Sequence, residues 1–400
     1  MVLGVVCEYN PFHSGHLYHL RESRKAAGEE AVLVCVMSGD FVQRGEPAVF
    51  SKYVRAEAAV ACGADLVAEL PLPWCLSSAE GFARGAVGLL GALGAERLCF
   101  GSESGETGPL TELARLVLEP DFLAAVKRRL GADPSLSFAG ARQLEAEARL
   151  GEKARRLSDP NDILAVEYGK AVQTLGLPMQ LLAVKRIGSG HDRADGDGEG
   201  PLSASALRER LYTGEEPGDE IPDAAAAIFC REREAGRALL TRNALELPML
   251  ARLRLLDEEA FLDLPDAADG LGRRLYRAVR EEPGMDAILD AVKTKRYALS
   301  RIRRLCLCAC LGIKAGMADG VPPYVRVLAA DGRGRALLRE RAGCMSLPIL
   351  TKPAAVRELP ADCEALFTLG AQAHDFYVLG CPSREERRPG GDWRASPVMR

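Results

Sequence analysis

The chain has 400 residues, 48% hydrophobic and 27% charged, which is ordinary globular composition and enough for two or three domains with a real core. With 52 Lys and Arg against 56 Asp and Glu the net charge is −4, so bulk charge cannot hold nucleic acid and any such contact must be a local patch. The longest apolar stretches, such as 31–37 and 86–95, fall well short of the roughly 18 residues that span a bilayer, and no basic leader precedes Val2, so a cytoplasmic protein without membrane contact is expected.

From residue 1 to about 105 the chain repeats an apolar run, a glycine-containing turn and a helix. Strands are predicted at Val2 to Cys7, Ala31 to Met37, Ala64 to Glu69 and Arg97 to Phe100, and this alternation implies βαβ crossovers and a parallel sheet covered on both faces. The expected fold class is α/β, a Rossmann-like parallel-sheet domain followed by a mainly helical region. Ligands of such sheets bind beyond the strand carboxyl ends, and three of these strands run into polar sequence: Glu8-Tyr9-Asn10, Ser38-Gly39-Asp40 and Gly101-Ser102-Glu103. Residues 106–157 read as helical. Ser158-Asp159-Pro160-Asn161 is a start signal for a helix from Asp162 to Leu175. A strand from Gln180 to Val184 leads to Lys185-Arg186, the glycine- and aspartate-rich stretch Gly188 to Gly200 reads as a mobile loop or lid, and a helix begins near Leu202. The expected division is 1–215 for the sheet domain, 216–383 for a mainly helical domain with one strand at Tyr324 to Ala329, and 384–400 for a disordered tail rich in Arg, Pro and Gly.

Three of the five histidines stand at positions 13, 16 and 19, directly after the first strand. Pro11 ends that strand, Gly15 permits close backbone approach, and Leu17 and Leu20 begin an amphipathic helix. A helix amino terminus offers free N–H groups and the positive end of the dipole, so imidazoles there suit nucleotide phosphates and the charge that develops on them. Surface histidines on an amphipathic helix, or a zinc pair, are the plainer readings. Zincins, however, need H-E-x-x-H at i, i+4 with a third ligand, and few histidines remain to supply one. No metal site is expected elsewhere: twelve Cys without a C-x-x-C read as reduced structural thiols, and Cys306, Cys308 and Cys310 scatter around a helix.

The strings Val5-Val6-Cys7-Glu8-Tyr9-Asn10-Pro11-Phe12-His13-Ser14-Gly15-His16, Met37-Ser38-Gly39-Asp40-Phe41-Val42-Gln43-Arg44-Gly45-Glu46-Pro47-Ala48, Phe100-Gly101-Ser102-Glu103, Asp159-Pro160-Asn161-Asp162-Ile163-Leu164 and Val184-Lys185-Arg186-Ile187-Gly188 resemble the tRNA(Met) cytidine acetate ligase family of the H-x-G-H nucleotidyltransferase superfamily. The resemblance runs through most of the chain and is weakest after about 380. It implies ATP-dependent activation of acetate to acetyl-adenylate and acetyl transfer to N4 of the wobble cytidine of elongator tRNA(Met). It further implies His13 and His16 as catalytic, and an ATP-binding segment formed by Val6, Cys7, Glu8, Tyr9, Asn10, Pro11, Phe12, His13, Ser14, Gly15, His16, Leu17, Tyr18 and His19, joined by Gly101, Asn161 and Arg186. Mg²⁺ on the triphosphate is consistent with this, although no dedicated carboxylate cage is visible.

Other motifs carry two readings each. Asp40 stands where the family usually has Asn, exchanging an amide donor for a carboxylate. Lys52 and Arg55 are either cleft-lining or solvated helix charges. Asn161 is either an ATP contact or a helix cap, and Arg186 either a phosphate clamp or a solvated strand-end charge. Ser205 and Arg208, at the start of the helix after Leu202, resemble the second superfamily signature that holds phosphates, although a plain cap explains a serine there as well. From Lys293 to Arg304 there are six basic residues, Lys293, Lys295, Arg296, Arg301, Arg303 and Arg304, with Tyr297 among them and no acid. This is either an RNA-tracking patch with a stacking tyrosine or a solvated helix face. If it is a patch, charge reversal at Arg301, Arg303 and Arg304 weakens tRNA binding and spares adenylate formation. The competing overall readings are a small-molecule adenylyltransferase and a non-catalytic nucleotide- or RNA-binding protein.

Overall fold

The computed structural model describes residues 1–133, 135–187, 202–215, 218–268, 270–294 and 297–400. The stretch Gly188 to Gly200, read as a mobile loop or lid, lies outside the described residues, as do Lys295 and Arg296.

The first 215 residues supply strands β1 (Val2–Cys7), β2 (Val32–Ser38), β3 (Phe41–Val42), β4 (Glu46–Pro47), β5 (Leu66–Leu70), β6 (Arg97–Ser102) and β7 (Gln180–Lys185). The helices between and after them are α1 (Ser14–Ala27), α2 (Lys52–Ala61), α3 (Ala79–Ala92), α4 (Thr107–Leu116), α5 (Pro120–Ala132), α6 (Phe138–Leu150), α7 (Pro160–Thr174) and α8 (Ala204–Thr213). Strand β1 pairs in parallel with β2 and β6, β2 with β5, and β6 with β7. Strand residues alternate between two cores. Val2, Val34 and Val36 face one with α3, α4 and α7, while Leu3, Val5, Leu33 and Cys35 face the other with α1, α2 and α8. Burial on both faces is why these strands read as continuous apolar runs.

Helices α9 (Asp223–Glu234), α10 (Glu246–Leu255), α11 (Glu258–Leu262), α12 (Leu271–Glu281), α13 (Met285–Val292) and α14 (Leu299–Leu311) follow, then strand β8 (Val325–Ala330), α15 (Gly332–Arg341), β9 (Ile349–Leu350), α16 (Ala361–Val378), α17 (Gly391–Arg394) and β10 (Val398–Met399). The eight-stranded sheet runs β10-β8-β5-β2-β1-β6-β7, with β9 against β8. Strand β8 lies antiparallel to β5, so the sheet is parallel except at this joint.

Two expectations change. The line at residue 215 does not bound the sheet, because β8, β9 and β10 come from beyond it. Residues 384–400 are not a disordered tail: β10 pairs with β8 through Val398 and Met399, and Asp392 is fully buried. Their Arg-, Pro- and Gly-rich composition hides a few long-range contacts that hold the segment down. Among the described residues no helix is long and apolar enough to cross a membrane.

Candidate active site

The polar run after β1 is built from the inside out. Tyr9 and Phe12 are buried, their rings edge-on at 4.9 Å, and both belong to the core under α1 and α2. Their side chains shape this turn from beneath. Asn10 is buried and accepts the Val49 N–H through Oδ1 at 2.8 Å. Glu8 accepts the Ser38 hydroxyl and the Gln43 N–H on one oxygen, at 3.1 and 2.7 Å, tying the end of β1 to the end of β2. Ser14 donates its hydroxyl to the carbonyls of Asp219 and Glu220.

His13 is the N-cap of α1 and His16 its third residue. They close a reciprocal box: His13 Nδ1 accepts the Gly15 N–H at 3.0 Å, and His16 Nδ1 accepts the His13 N–H at 3.3 Å. Histidine here does the work usually given to Ser or Thr and Glu. A ring nitrogen that accepts an N–H carries no proton, so in both neutral rings the proton sits on Nε2. The rings lie 3.8 Å apart, centroid to centroid.

Burial, with the Arg186 and Arg208 charges, pushes the His13 pKa down to about 4. Burial, then His13, His19 and Arg186, holds His16 well below the ordinary value. His19 comes down to about 4 from burial and Arg186, and its Nε2 lies 3.7 Å from Cys99 Sγ. All three are therefore neutral at pH 7, each a donor without a formal charge. These depressed values also set a pH dependence. The unfolded chain, with histidines near 6.5, takes up protons before the folded one does, so this contribution to stability is present above about pH 6.5 and is lost as the pH falls toward about 4. Urea unfolding is expected to show stability falling between pH 6.5 and 5, with a shallower fall in His13→Asn, which keeps an acceptor for the Gly15 N–H; equal slopes would contradict the assignment.

Around this pair the structure gathers residues far apart in sequence. Arg208 donates to the Asn10 carbonyl at 2.8 Å and to Ser205 Oγ at 3.1 Å. Ser203, not Ser205, is the cap of α8, accepting the Ala206 N–H. Asn161 is not a cap either. The N-cap of α7 is Asp159, and Asn161 Nδ2 donates to Glu103 Oε1 at 2.7 Å. Arg186 stands 3.7 Å from the same Glu103 oxygen and packs over Gly101, where an added Cβ would lie 3.2 Å from Arg186 Cγ. Glu103 thus links Asn161 to Arg186, which covers Gly101, and it has no individual role in the reading from sequence. Its signal was an acid two residues beyond a strand-end glycine.

Other expected residues do not join the cleft. Lys52 and Arg55 are fully buried. Arg55 donates to the carbonyls of Phe50, Glu8, Ser38 and Gly39, stitching together the ends of β1 and β2. Lys52 lies 2.7 Å from Asp392, 2.9 Å from Glu69 and 3.7 Å from Asp40, and Arg326 also holds Glu69 and Asp392. Asp40 accepts from the Lys52 backbone and from His374 Nδ1, each at 2.8 Å. Burial pushes its carboxyl up, but His374 and Lys52 outweigh that and bring it down to about 2. Asp40, His374 and Asp392 are close enough to share a metal ion, and the Lys52 ammonium lies against both of these carboxylates.

The basic run from Lys293 to Arg304 is not a uniform exposed patch. Arg303 pairs with Glu46, and Arg304 is buried and donates to the Gln43 carbonyl at 3.3 Å. Tyr297 is buried too, so its ring is not free to stack on a base, and Arg301 lies over that ring and donates to the Asp266 carbonyl. Lys293 remains exposed. Charge reversal at Arg303 and Arg304 would disturb the Phe41–Pro47 hairpin beside Glu8, so it cannot separate RNA binding from chemistry at the first strand.

The family described as HIGH Nucleotidyl Transferase matches residues 1–390. A tRNA(Met) cytidine acetate ligase of Syntrophotalea carbinolica is 38% identical over 356 residues, 87% of this chain and 84% of that protein. One from Syntrophomonas wolfei is 34% identical over 417 residues, covering 99% of each. Among solved structures, Thermotoga maritima TmcAL without ligand superposes with a TM-score of 0.94 at 32% identity, covering 100% of this chain and 99% of that one. The same protein bound with alpha-thio ATP gives 0.92 at 33% identity over the same shares.

Proposed function

The chain belongs to the HIGH nucleotidyl transferase family and, within it, to the tRNA(Met) cytidine acetate ligases, and from that membership we propose that it activates acetate with ATP and transfers the acetyl group to N4 of the wobble cytidine of elongator tRNA(Met). The observation that carries the reading is the histidine box. By spending both Nδ1 atoms on the start of α1, it leaves two Nε2–H donors, fixed in direction, beside a helix amino terminus and within the field of Arg186 and Arg208.

In the first step an acetate oxygen attacks the α-phosphorus, the bond to the bridging oxygen breaks, and pyrophosphate departs. Acetate offers almost no surface to bind, so positioning and electrostatics at the phosphates must supply the rate. Neutral imidazoles suit this role: they donate to the phosphoryl oxygens as charge develops and need no reorganisation. Arg186, held against Glu103, and Arg208, held against Asn10 and Ser205, place guanidiniums where phosphate oxygens can be taken bidentately. In the second step the cytidine amine attacks the acetyl carbon, the bond from that carbon to the phosphate oxygen breaks, AMP leaves, and the proton lost from N4 is released to solvent. An anticodon-loop base is splayed out at low cost, which lets N4 approach. Mg²⁺ accompanying ATP would be carried by the phosphates of the nucleotide.

Carbon-labelled acetate incubated with ATP, the protein and tRNA is expected to place label in N4-acetylcytidine on nucleoside analysis. A protein that adenylates a phosphate-bearing small molecule and leaves acetate untouched would replace this reading with that of an adenylyltransferase.

A further inference from the structure

The hairpin β3–β4 is short but heavily held. Phe41 pairs with Pro47 and Val42 with Glu46, and Phe41 is fully buried, its ring edge-on to Tyr377. The turn between them closes with the Gly45 N–H on the Val42 carbonyl at 2.8 Å. Gly45 has φ +77°, and an added Cβ would lie 2.5 Å from the Arg304 backbone nitrogen, so the hairpin sits flush against α14. The Gln43 N–H goes to Glu8, its carbonyl takes Arg304, and its side chain donates to the Ser77 carbonyl at 3.3 Å. Glu46 is held by Arg303 and stands 3.3 Å from Arg242.

Every residue from 41 to 47 is therefore buried or anchored except one. Arg44, at the tip, is exposed, and its guanidinium has no hydrogen-bond or ion-pair partner among the described residues. Six residues fixed this firmly present a single arginine beside the carboxyl end of β1. Its entropy cost on binding is reduced because the backbone beneath it is already ordered. Arg44 is not among the charged groups that bear on the two imidazoles. The charges that bear on His13 and His16 are Arg186, Arg208 and the neighbouring histidines, and acetate must attack beside those two imidazoles. An unpaired guanidinium on a rigid projection, next to the crevice but outside its centre, suits an oxyanion on a large substrate.

We propose that Arg44 is a contact to the RNA phosphate backbone, gripping a phosphate next to the cytidine as it enters the crevice. The inference rests on the acetyl-transfer reading for the identity of the RNA and for where acetate reacts.

The test is direct binding of tRNA(Met) transcript to the full chain across a salt series, for wild type, Arg44→Ala and Arg44→Lys. Arg44→Ala is expected to weaken binding roughly tenfold at low salt and to reduce the slope of log K against log salt by about one, as loss of a single phosphate contact does. Arg44→Lys keeps the slope, because a charge remains, and loses part of the affinity with the fork geometry. Unchanged affinity and slope in Arg44→Ala would overturn the proposal. So would intact tRNA affinity with a raised acetate requirement for pyrophosphate exchange, which would assign the guanidinium to acetate. If wild type binds tRNA but forms no acetylcytidine, the transfer reading fails while the slope still decides on Arg44. If wild type binds no tRNA at any salt, both fail.

Discussion

Replacing His16 with alanine is expected to lower acetate-dependent ATP–pyrophosphate exchange roughly 10²- to 10³-fold, the cost of deleting one preorganised donor to a developing oxyanion. The side chain does two jobs. In the proposed reaction its Nε2–H donates to the phosphates, while its Nδ1 takes the His13 N–H at 3.3 Å, so the variant also loosens the neighbouring donor. His16→Gln separates the two. A glutamine carbonyl accepts the His13 N–H as in an ordinary capping box, restoring the helix start without the imidazole. If the loss is catalytic, His16→Gln stays close to His16→Ala in turnover while recovering stability. If His16→Gln recovers turnover along with stability, the imidazole serves only as a cap.

The second large effect lies away from the phosphates. Lys52→Met is expected to destabilise the protein by about 3–5 kcal/mol, the usual cost of removing one partner from a buried ion group. Lys52 is buried with Asp40, Glu69 and Asp392 around its ammonium. Burial disfavours the charge on Lys52, but Asp392 and Glu69 outweigh it and raise its pKa. Without the lysine, three carboxylates lose the ammonium they share and keep Arg326 and His374 as their ion-pair partners. Lys25→Met, at a side chain 75% exposed, is the control and should change stability by no more than about 0.5 kcal/mol. Equal denaturant midpoints for the two variants would contradict the account. Burial lowers and Asp40 and Asp392 together raise the His374 pKa, with a net rise. Its contribution is therefore fully present below about pH 6.5 and is lost as the pH rises through its folded value, opposite in sign to that of His13, His16 and His19.

These two effects also mark what could be read from the sequence. The histidine site is compressed into the stretch from His13 to His19 at a strand-to-helix junction, where local rules of capping and helix polarity apply, and the strands announce themselves because both faces are buried. The Lys52 group escapes such rules because it joins residues 340 positions apart. The same separation explains why the segment after 384 reads as loose: its order comes from Asp392 and the β8–β10 pairing, not from its own composition. Arg303 and Arg304 show the complementary failure. Their charge is plain in the sequence, but the direction in which α14 points them is not, and two arginines that look like an RNA patch instead pin a hairpin. Glu103 was hidden for another reason, since its role depends on Asn161 and Arg186 arriving from separate elements.

The measurement that bears most directly on the central claim is ATP–pyrophosphate exchange by the full chain without RNA, with acetate as the only added acid. Exchange that depends on acetate and falls by two or more orders of magnitude in His16→Ala is the predicted result. Exchange that ignores acetate, or that survives loss of the imidazole, would contradict the assignment of acetate activation to the His13–His16 pair.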